Sequence, residues 1–132
     1  MKIIRIINAI LLIFLFTIHI SCKKSIIPRK KKVDVDVYIT NSVKGTVISD
    51  IQVTIYTEKY ISTIGGLNDH WSRNGYLAQS ITNNSGFCSF KNLKFVLNRD
   101  YRQVCVIRRF NGDEMMKILA NKDDAYYFDT SW

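Results

Sequence analysis

Strict alternation of apolar and polar side chains is the feature that most restricts how this chain can fold. From residue 33 to residue 40, valine or isoleucine occupies every odd position, and aspartate, tyrosine or threonine every even one. Residues 51–56 repeat the pattern. Successive side chains of a β-strand point to opposite faces, so this spacing predicts strands with one buried face. No segment after residue 32 repeats apolar residues at a sustained helical spacing.

Further strands and turns are predicted along the rest of the chain. Short runs rich in strand-forming residues occur at 87–90, 101–108, 115–119 and 125–130. Asn-Asn-Ser-Gly at 83–86 and Asn-Gly-Asp at 111–113 supply residues that accept a positive φ at low cost. About 100 residues suffice for a single small sandwich. We therefore predict an all-β fold, one β-sandwich of about seven strands over 33–132.

The positive charge of the chain is concentrated before this predicted domain. The sequence has 19 Lys and Arg residues against 11 Asp and Glu residues, a formal net charge of +8. Two cations lie in 1–21 and six in 22–32, which leaves 11 charges of each sign in 33–132. A nucleic-acid-binding domain is expected to carry its own basic face, so we do not expect a nucleic-acid partner.

The first 21 residues have the organisation of an export signal. Two cations precede an apolar run at 6–18, which is shorter than the ~20 residues of a membrane-spanning helix. Ser21, a small residue, then precedes Cys22. This ending resembles the lipobox of bacterial lipoproteins, which implies cleavage after Ser21, lipidation of Cys22 and attachment to a membrane. An ordinary secretion signal or an uncleaved anchor is the alternative.

The segment 22–32 is strongly basic and contains Pro28. We predict a flexible, solvated tether there. Its cations are Lys23, Lys24, Arg29, Lys30, Lys31 and Lys32. Next to a lipid anchor, such cations are attracted to anionic headgroups by about 1 kcal/mol each; a spacer without a specific partner is the alternative. Acidic residues after the lipidated cysteine mark surface lipoproteins in some bacteria, and their absence here implies an outer-membrane lipoprotein facing the periplasm.

Two motifs resemble those of carboxypeptidase regulatory-like domains. Residues 45–56 read Gly-Thr-Val-Ile-Ser-Asp-Ile-Gln-Val-Thr-Ile-Tyr, and residues 82–93 read Thr-Asn-Asn-Ser-Gly-Phe-Cys-Ser-Phe-Lys-Asn-Leu. The strand led by Tyr101 is similar to the one that follows in that family. The resemblance covers roughly Val33–Ile107 and implies a transthyretin-like sandwich.

The transthyretin-like layout has a consequence for two cysteines. It puts Cys88 and Cys105 on strands of opposite sheets, so inward-facing thiols can meet across the core. In an oxidising compartment a disulfide between them would persist, and closing that loop would contribute about 3 kcal/mol. The alternative is a pair of buried free thiols. No further cluster keeps metal-ligand spacing with them, so we predict neither a metal site nor a cofactor.

The segment 58–74 is predicted to be a long connection with a candidate binding loop. Trp and Arg are favoured anchors at binding surfaces, and loops on rigid scaffolds often carry recognition. The candidate residues are Asp69, His70, Trp71 and Arg73. The alternative is a Trp71 that is packed against the sandwich and covers a sheet edge. We do not expect Asp69, His70 and Ser72 to form a catalytic triad, because neighbours in one loop rarely converge.

The aromatic tail at 126–132 is predicted to be a last strand with Trp132 against the core. A sugar-stacking surface made of Tyr126 and Trp132 is a weaker alternative.

Taken together, these features predict a non-enzymatic, membrane-anchored envelope lipoprotein that binds another envelope protein or a cell-wall glycan. One alternative is an accessory outer-membrane lipoprotein of a secretion machine, since such lipoproteins also combine a lipid anchor with a transthyretin-like sandwich. A small hydrolase related to transthyretin is the other. The sequence after residue 22 has a single His, His70, and lacks the Tyr-Arg-Gly-Ser signature of those hydrolases. The enzyme is therefore the weaker alternative.

Overall fold

The computed structural model describes residues 28–109 and 111–131. Within this part the chain forms eight strands and no helix: β1 (Arg29–Asn41), β2 (Thr46–Val47), β3 (Gln52–Ile61), β4 (His70–Ile81), β5 (Phe87–Leu97), β6 (Tyr101–Arg108), β7 (Glu114–Leu119) and β8 (Asp124–Asp129). The predicted all-β sandwich is confirmed. The predicted signal, Cys22, Lys23, Lys24 and Trp132 lie outside the described residues.

The strands form two four-stranded sheets. In the first sheet, β1 pairs antiparallel with β2 and β5 and parallel with β8. The second sheet has the order β4-β3-β6-β7 and is antiparallel throughout. β1 and β8 are the first and last strands of the described residues, so their pairing holds both ends of the domain in the first sheet.

The core lies between the two sheets and contains the apolar residues of the alternating pattern seen in the sequence. All four odd-numbered aliphatic side chains of 33–39 are 0–1 % exposed. Val53 and Ile55 face them from β3, and Phe95 and Phe128 fill the space between the sheets. The half-buried strands predicted at 33–40 and 51–56 are therefore confirmed.

The first strand begins earlier than the sequence predicts. Arg29 pairs with Leu97 and Lys32 with Lys94, so residues 29–32 are part of β1 and not of a flexible tether. Their side chains stay exposed. Pairing of their backbone with β5 therefore leaves all four charges in water. Because charges in water repel each other only weakly, the strand can form despite them.

The turn before β5 has the conformation that its sequence predicts. The side-chain carbonyl of Asn83 accepts hydrogen bonds from the Ser85 and Phe87 amides at 2.9 and 3.1 Å. Gly86 has a φ of +67°, and its carbonyl accepts a hydrogen bond from the Ile39 amide at 2.8 Å. Glycine is suited to this left-handed conformation because it has no Cβ. Cys88 and Phe90 then face the core.

The segment after β8 is held by Asp129. Its Oδ1 accepts hydrogen bonds from the Ser42 amide at 3.0 Å and the Ser131 amide at 2.9 Å. Hydrogen bonds from the side chain and amide of Ser42, and then from those of Ser131, stabilise the ionised form and lower the pKa of Asp129 well below its usual value of 3.8. The carboxylate therefore ties the end of the last strand to the turn after β1.

We expect the domain to lose stability in acid partly through Asp129. The folded pKa lies below the unfolded one, so this stabilisation is complete above about pH 4 and is lost as the pH falls through the folded value. Asp129→Asn keeps an acceptor oxygen but cannot titrate. Urea midpoints at about pH 6 and about pH 3 should therefore differ less in the variant than in the native chain. Equal acid sensitivity of the two would contradict this assignment.

Candidate functional site

Trp71 lies on the face of the second sheet that points away from the core, and not in a long loop. The predicted connection 58–74 is mostly strand, because β3 and β4 continue as a hairpin in which Tyr60 pairs with Trp71. The Tyr60 ring is 5.2 Å from the indole and tilted against it. Trp71 is half-buried. Of the two alternatives, the structure therefore has the tryptophan packed against the sandwich, and we call this surface the outer face.

A charge pair fixes one side of the indole. The guanidinium of Arg102 lies 4.4 Å from the centre of the Trp71 ring. It also donates a hydrogen bond from Nε to a carboxylate oxygen of Glu58 at 2.7 Å, and a terminal nitrogen forms an ion pair with the same oxygen, also at 2.7 Å. The side chain of Glu58 is only 8 % exposed. Arg102 thus compensates a largely buried carboxylate and stacks on an aromatic ring at the same time.

A second arginine crosses the outer face from β4 towards β7. The guanidinium of Arg73 lies 4.6 Å from the centre of the Tyr56 ring, and it donates a hydrogen bond to Glu114 at 2.5 Å. Glu114 also accepts one from Arg108 at 3.3 Å. The hydrogen bond between Arg73 and Glu114 raises the pKa of Arg73, and together with that from Arg108 it lowers the pKa of Glu114.

These side chains cover a small apolar layer outside the core. Val104 and Val106 on β6 are 0 % and 4 % exposed, although they alternate with the residues that face the main core. Val104 pairs with Tyr56 and Val106 with Thr54 on the neighbouring strand. The aromatic rings and arginines of the outer face therefore have an apolar base beneath them, which restrains their motion.

A shallow depression lies beside this network. It is lined by Gln52, Thr54, Tyr56, Val106, Arg108 and Glu114. Its rim offers an amide, a hydroxyl, a carboxylate and a guanidinium within one small area, so it can donate and accept hydrogen bonds. Exposed apolar side chains flank it on both edges of the sheet, where Tyr76 on β4 is 61 % exposed and Ile118 on β7 is 57 % exposed.

The remaining predicted loop residues hold the hairpin in shape. Asp69 accepts hydrogen bonds from the Thr63 amide at 2.8 Å and the Tyr60 hydroxyl at 2.9 Å, and these lower its pKa. Nδ1 of His70 lies 2.7 Å from the Asn68 carbonyl. These hydrogen bonds differ from the carboxylate–imidazole–hydroxyl chain of a catalytic triad.

The sequence indicates Trp71 and Arg73 but not Glu58, Arg102 and Glu114. The three missed residues come from three strands that are adjacent only after folding, so no local spacing reveals them. One signal was available: Tyr56, Glu58 and Tyr60 are two residues apart, which places them on a single face of a strand.

Cys88 and Cys105 are free thiols that point into the core from opposite sheets. They are 5 % and 0 % exposed. Burial raises the pKa of Cys88 to about 11 and that of Cys105 to about 12. Of the two possibilities that the sequence leaves open, a disulfide and a pair of buried free thiols, the structure has the free thiols. Both act as small apolar core side chains.

We expect both core thiols to resist alkylation in the folded chain. A thiol with a pKa of about 11 or 12 is almost entirely protonated at neutral pH, and the thiolate is the reactive form. Mass spectrometry after maleimide treatment should find Cys88 and Cys105 modified only when the alkylation is carried out in denaturant. If they stay unmodified in denaturant until a reductant is added, the disulfide is present instead.

The first sheet carries an aromatic row on its own outer side. Tyr38 stacks on Tyr127 at 5.0 Å and lies 4.9 Å from Phe87. Tyr126 is half-buried, and its hydroxyl accepts a hydrogen bond from the Ala120 amide at 2.6 Å. The exposed aromatic side chain of this strand is therefore Tyr127, and not the Tyr126 predicted for sugar stacking.

Neither the scan against protein-family models nor the search of curated proteins found a match to this chain. The family resemblance stays a prediction. In residues 28–109 and 111–131 there is no helix that is long and apolar enough to cross a membrane. The same part of the chain holds no group of three or more His, Cys, Asp and Glu side chains arranged to bind a metal.

Proposed function

We propose that this chain is a membrane-anchored envelope lipoprotein whose domain binds another envelope protein through the outer face of the second sheet. The observation that carries the proposal is a set of two arginine–aromatic pairs on that face. Arg102 stacks on Trp71 and is paired with a carboxylate, and Arg73 stacks on Tyr56 and is paired with another. Tryptophan, tyrosine and arginine are the residue types that contribute most to protein interfaces.

Two further features support a protein partner. The arginines and rings are held in place before binding, so less side-chain freedom is lost when a partner docks. Tyr76 and Ile118 add exposed apolar area at the edges of the face. Aromatic residues and arginine, which dominate this face, are the residue types enriched in protein interfaces.

A cell-wall glycan is the second candidate, and the aromatic row of the first sheet favours it. Tyr127 is 62 % exposed and backed by Tyr38. A free ring face of this kind can stack on a sugar.

The proposal is tested by crosslinking in intact cells, capture of the chain and mass spectrometry. We expect one reproducible envelope partner with the native chain and its loss with Tyr76→Ala combined with Ile118→Ser. Tyr127→Ala is the matched control, because it removes an equally exposed ring from the other sheet. Loss with Tyr127→Ala alone would instead place the protein partner on the first sheet. Capture unaffected by either variant would contradict binding through the outer face.

Anchoring is tested separately with Cys22→Ala. We expect the native chain to fractionate with membranes and its Cys22 peptide to carry an added lipid mass, and we expect no such mass in the variant. An unmodified Cys22 in the membrane-bound native chain would contradict the lipoprotein assignment and favour an uncleaved anchor.

A further inference from the structure

Three segments of the chain meet at one end of the sandwich. Arg29, at the start of β1, pairs with Leu97 at the end of β5. The turn after Leu97 lies against β3, where the Tyr60 amide donates a hydrogen bond to the Asp100 carbonyl at 2.8 Å. The loop 62–69 follows directly. The first 27 residues therefore join the domain at the same end as this loop.

The loop presents two apolar side chains to solvent. Ile64 is fully exposed and Leu67 is 90 % exposed. Between them lie Gly65 and Gly66, both with positive φ. No other large apolar side chain of the described residues is as exposed as these two. Their exposure contributes no burial to the folding of the domain itself.

Hydrogen bonds fix the loop in this exposed shape. The carboxylate of Asp69 accepts from the Thr63 amide at 2.8 Å and the Tyr60 hydroxyl at 2.9 Å. The Gly66 amide donates to the Thr63 carbonyl at 3.0 Å, and the Asn68 amide donates to the Thr63 hydroxyl at 3.2 Å. The two apolar side chains are therefore presented by an ordered turn.

Exposed cations lie at the same end of the sandwich as the loop. Residues 29–32 are four successive exposed cations, and Lys94 is paired with Lys32 on the neighbouring strand. Arg99 in the β5–β6 turn has a side chain that is 93 % exposed. The acids at this end are engaged as well: Glu58 pairs with Arg102, and the Asp69 carboxylate accepts hydrogen bonds within the loop. Asp100 lies 3.5 Å from Arg99 and offsets its charge, so the positive charge of this end comes from residues 29–32 and Lys94. An apolar tip among exposed cations matches an anionic bilayer surface, in which side chains such as these enter the headgroup boundary.

We propose that this end of the sandwich, with Ile64 and Leu67 at its tip and the cations of 29–32 beside them, rests on an anionic membrane surface. The inference rests on the proposed anchor, because the N-terminal segment brings this end to the bilayer. The loop and the cations then fix the orientation of the domain. β1 runs away from the membrane, and the outer face stands roughly perpendicular to it, open to a partner.

The test uses the full chain in lipid nanodiscs and hydrogen–deuterium exchange read by mass spectrometry. We expect peptides covering 62–69 to exchange at least about threefold more slowly in discs of phosphatidylcholine with phosphatidylglycerol than in discs of phosphatidylcholine alone. Ile64→Ser combined with Leu67→Ser should abolish the difference. Both side chains are solvent-exposed, so the variant should keep the stability of the native chain.

Val43→Ser is the matched control, since Val43 is 83 % exposed in the turn at the opposite end of β1. We expect it to behave as the native chain does. Equal exchange of 62–69 in both kinds of disc, or protection that survives in the Ile64 and Leu67 variant, overturns the proposal. A chain that enters neither kind of disc contradicts the proposed anchor. In that case, flotation with anionic vesicles tests directly whether this end of the sandwich binds a membrane. Equal binding of the native chain and the Ile64 and Leu67 variant overturns the proposal.

Discussion

Gly86→Ala is expected to destabilise the domain by about 3 kcal/mol or more. A Cβ built on Gly86 would lie 2.5 Å from the Ile39 carbonyl oxygen and 3.2 Å from the Ile48 amide nitrogen. Both are backbone atoms, which cannot turn away as a side chain can. The same Ile39 residue donates its amide to the Gly86 carbonyl, so moving the turn also breaks the contact between β1 and the start of β5. Urea unfolding followed by far-UV circular dichroism measures the loss.

Gly45→Ala separates the clash from the backbone conformation. Gly45 has a φ of +62°, close to the +67° of Gly86, but an added Cβ there would meet nothing within 4 Å. We expect the free energy of unfolding of this variant to fall by only about 1 kcal/mol, which is what a left-handed conformation costs a residue with a Cβ. Equal losses at the two positions would show that contacts around Gly86 relax freely, contrary to this account.

Arg102→Met is expected to cost about 2–4 kcal/mol, a little less than breaking a fully buried pair. It keeps much of the aliphatic side chain but leaves the Glu58 carboxylate, 8 % exposed, without its guanidinium partner. The stacking on Trp71 is lost as well. Urea unfolding at neutral pH is again the measurement. Adding Glu58→Gln to Arg102→Met should restore part of the loss, because the unpaired charge is then removed.

Arg99→Met is the control for removing a positive charge. Its side chain is 93 % exposed, and its partner Asp100 is 3.5 Å away. Surface pairs of this kind contribute little, so we expect a change below about 0.5 kcal/mol. If Arg102→Met lowered the free energy of unfolding equally little, the ion pair with Arg102 would not be what stabilises the buried carboxylate of Glu58.

How far the fold follows from the sequence depends on how regular each strand is. The alternation at 33–40 directly gives a half-buried strand, because β1 has one face in the core. β4 is twelve residues long, yet it was predicted in part to be a loop. Its register against β3 shifts twice, between Ile55 and Tyr56 and between Thr57 and Glu58. Each shift interrupts the alternation by which a strand is recognised.

The candidate site was predicted less completely than the fold. Trp71 and Arg73 are conspicuous in the sequence because large aromatic and cationic residues are rare among the polar residues around them. Glu58, Arg102 and Glu114 acquire their roles only when β3, β6 and β7 lie side by side. The basic run at 29–32 misled the prediction of the domain boundary for a related reason. Its side chains indicate a solvated segment, whereas its backbone pairs with β5.

The parallel pairing of β1 with β8 has a consequence for the order of events when the chain is made. β1 emerges first, yet Val35 pairs with Asp124 and Thr40 with Asp129, almost 90 residues later. Its other long partner, β5, comes more than 45 residues after it. Contacts of such high sequence separation form slowly, since a long loop must close first. One edge of β1 therefore stays without its long partner until β8, the last strand of the described residues, is available. Late completion of the sandwich fits the export that we propose for this chain, since an exported chain crosses its translocation channel unfolded.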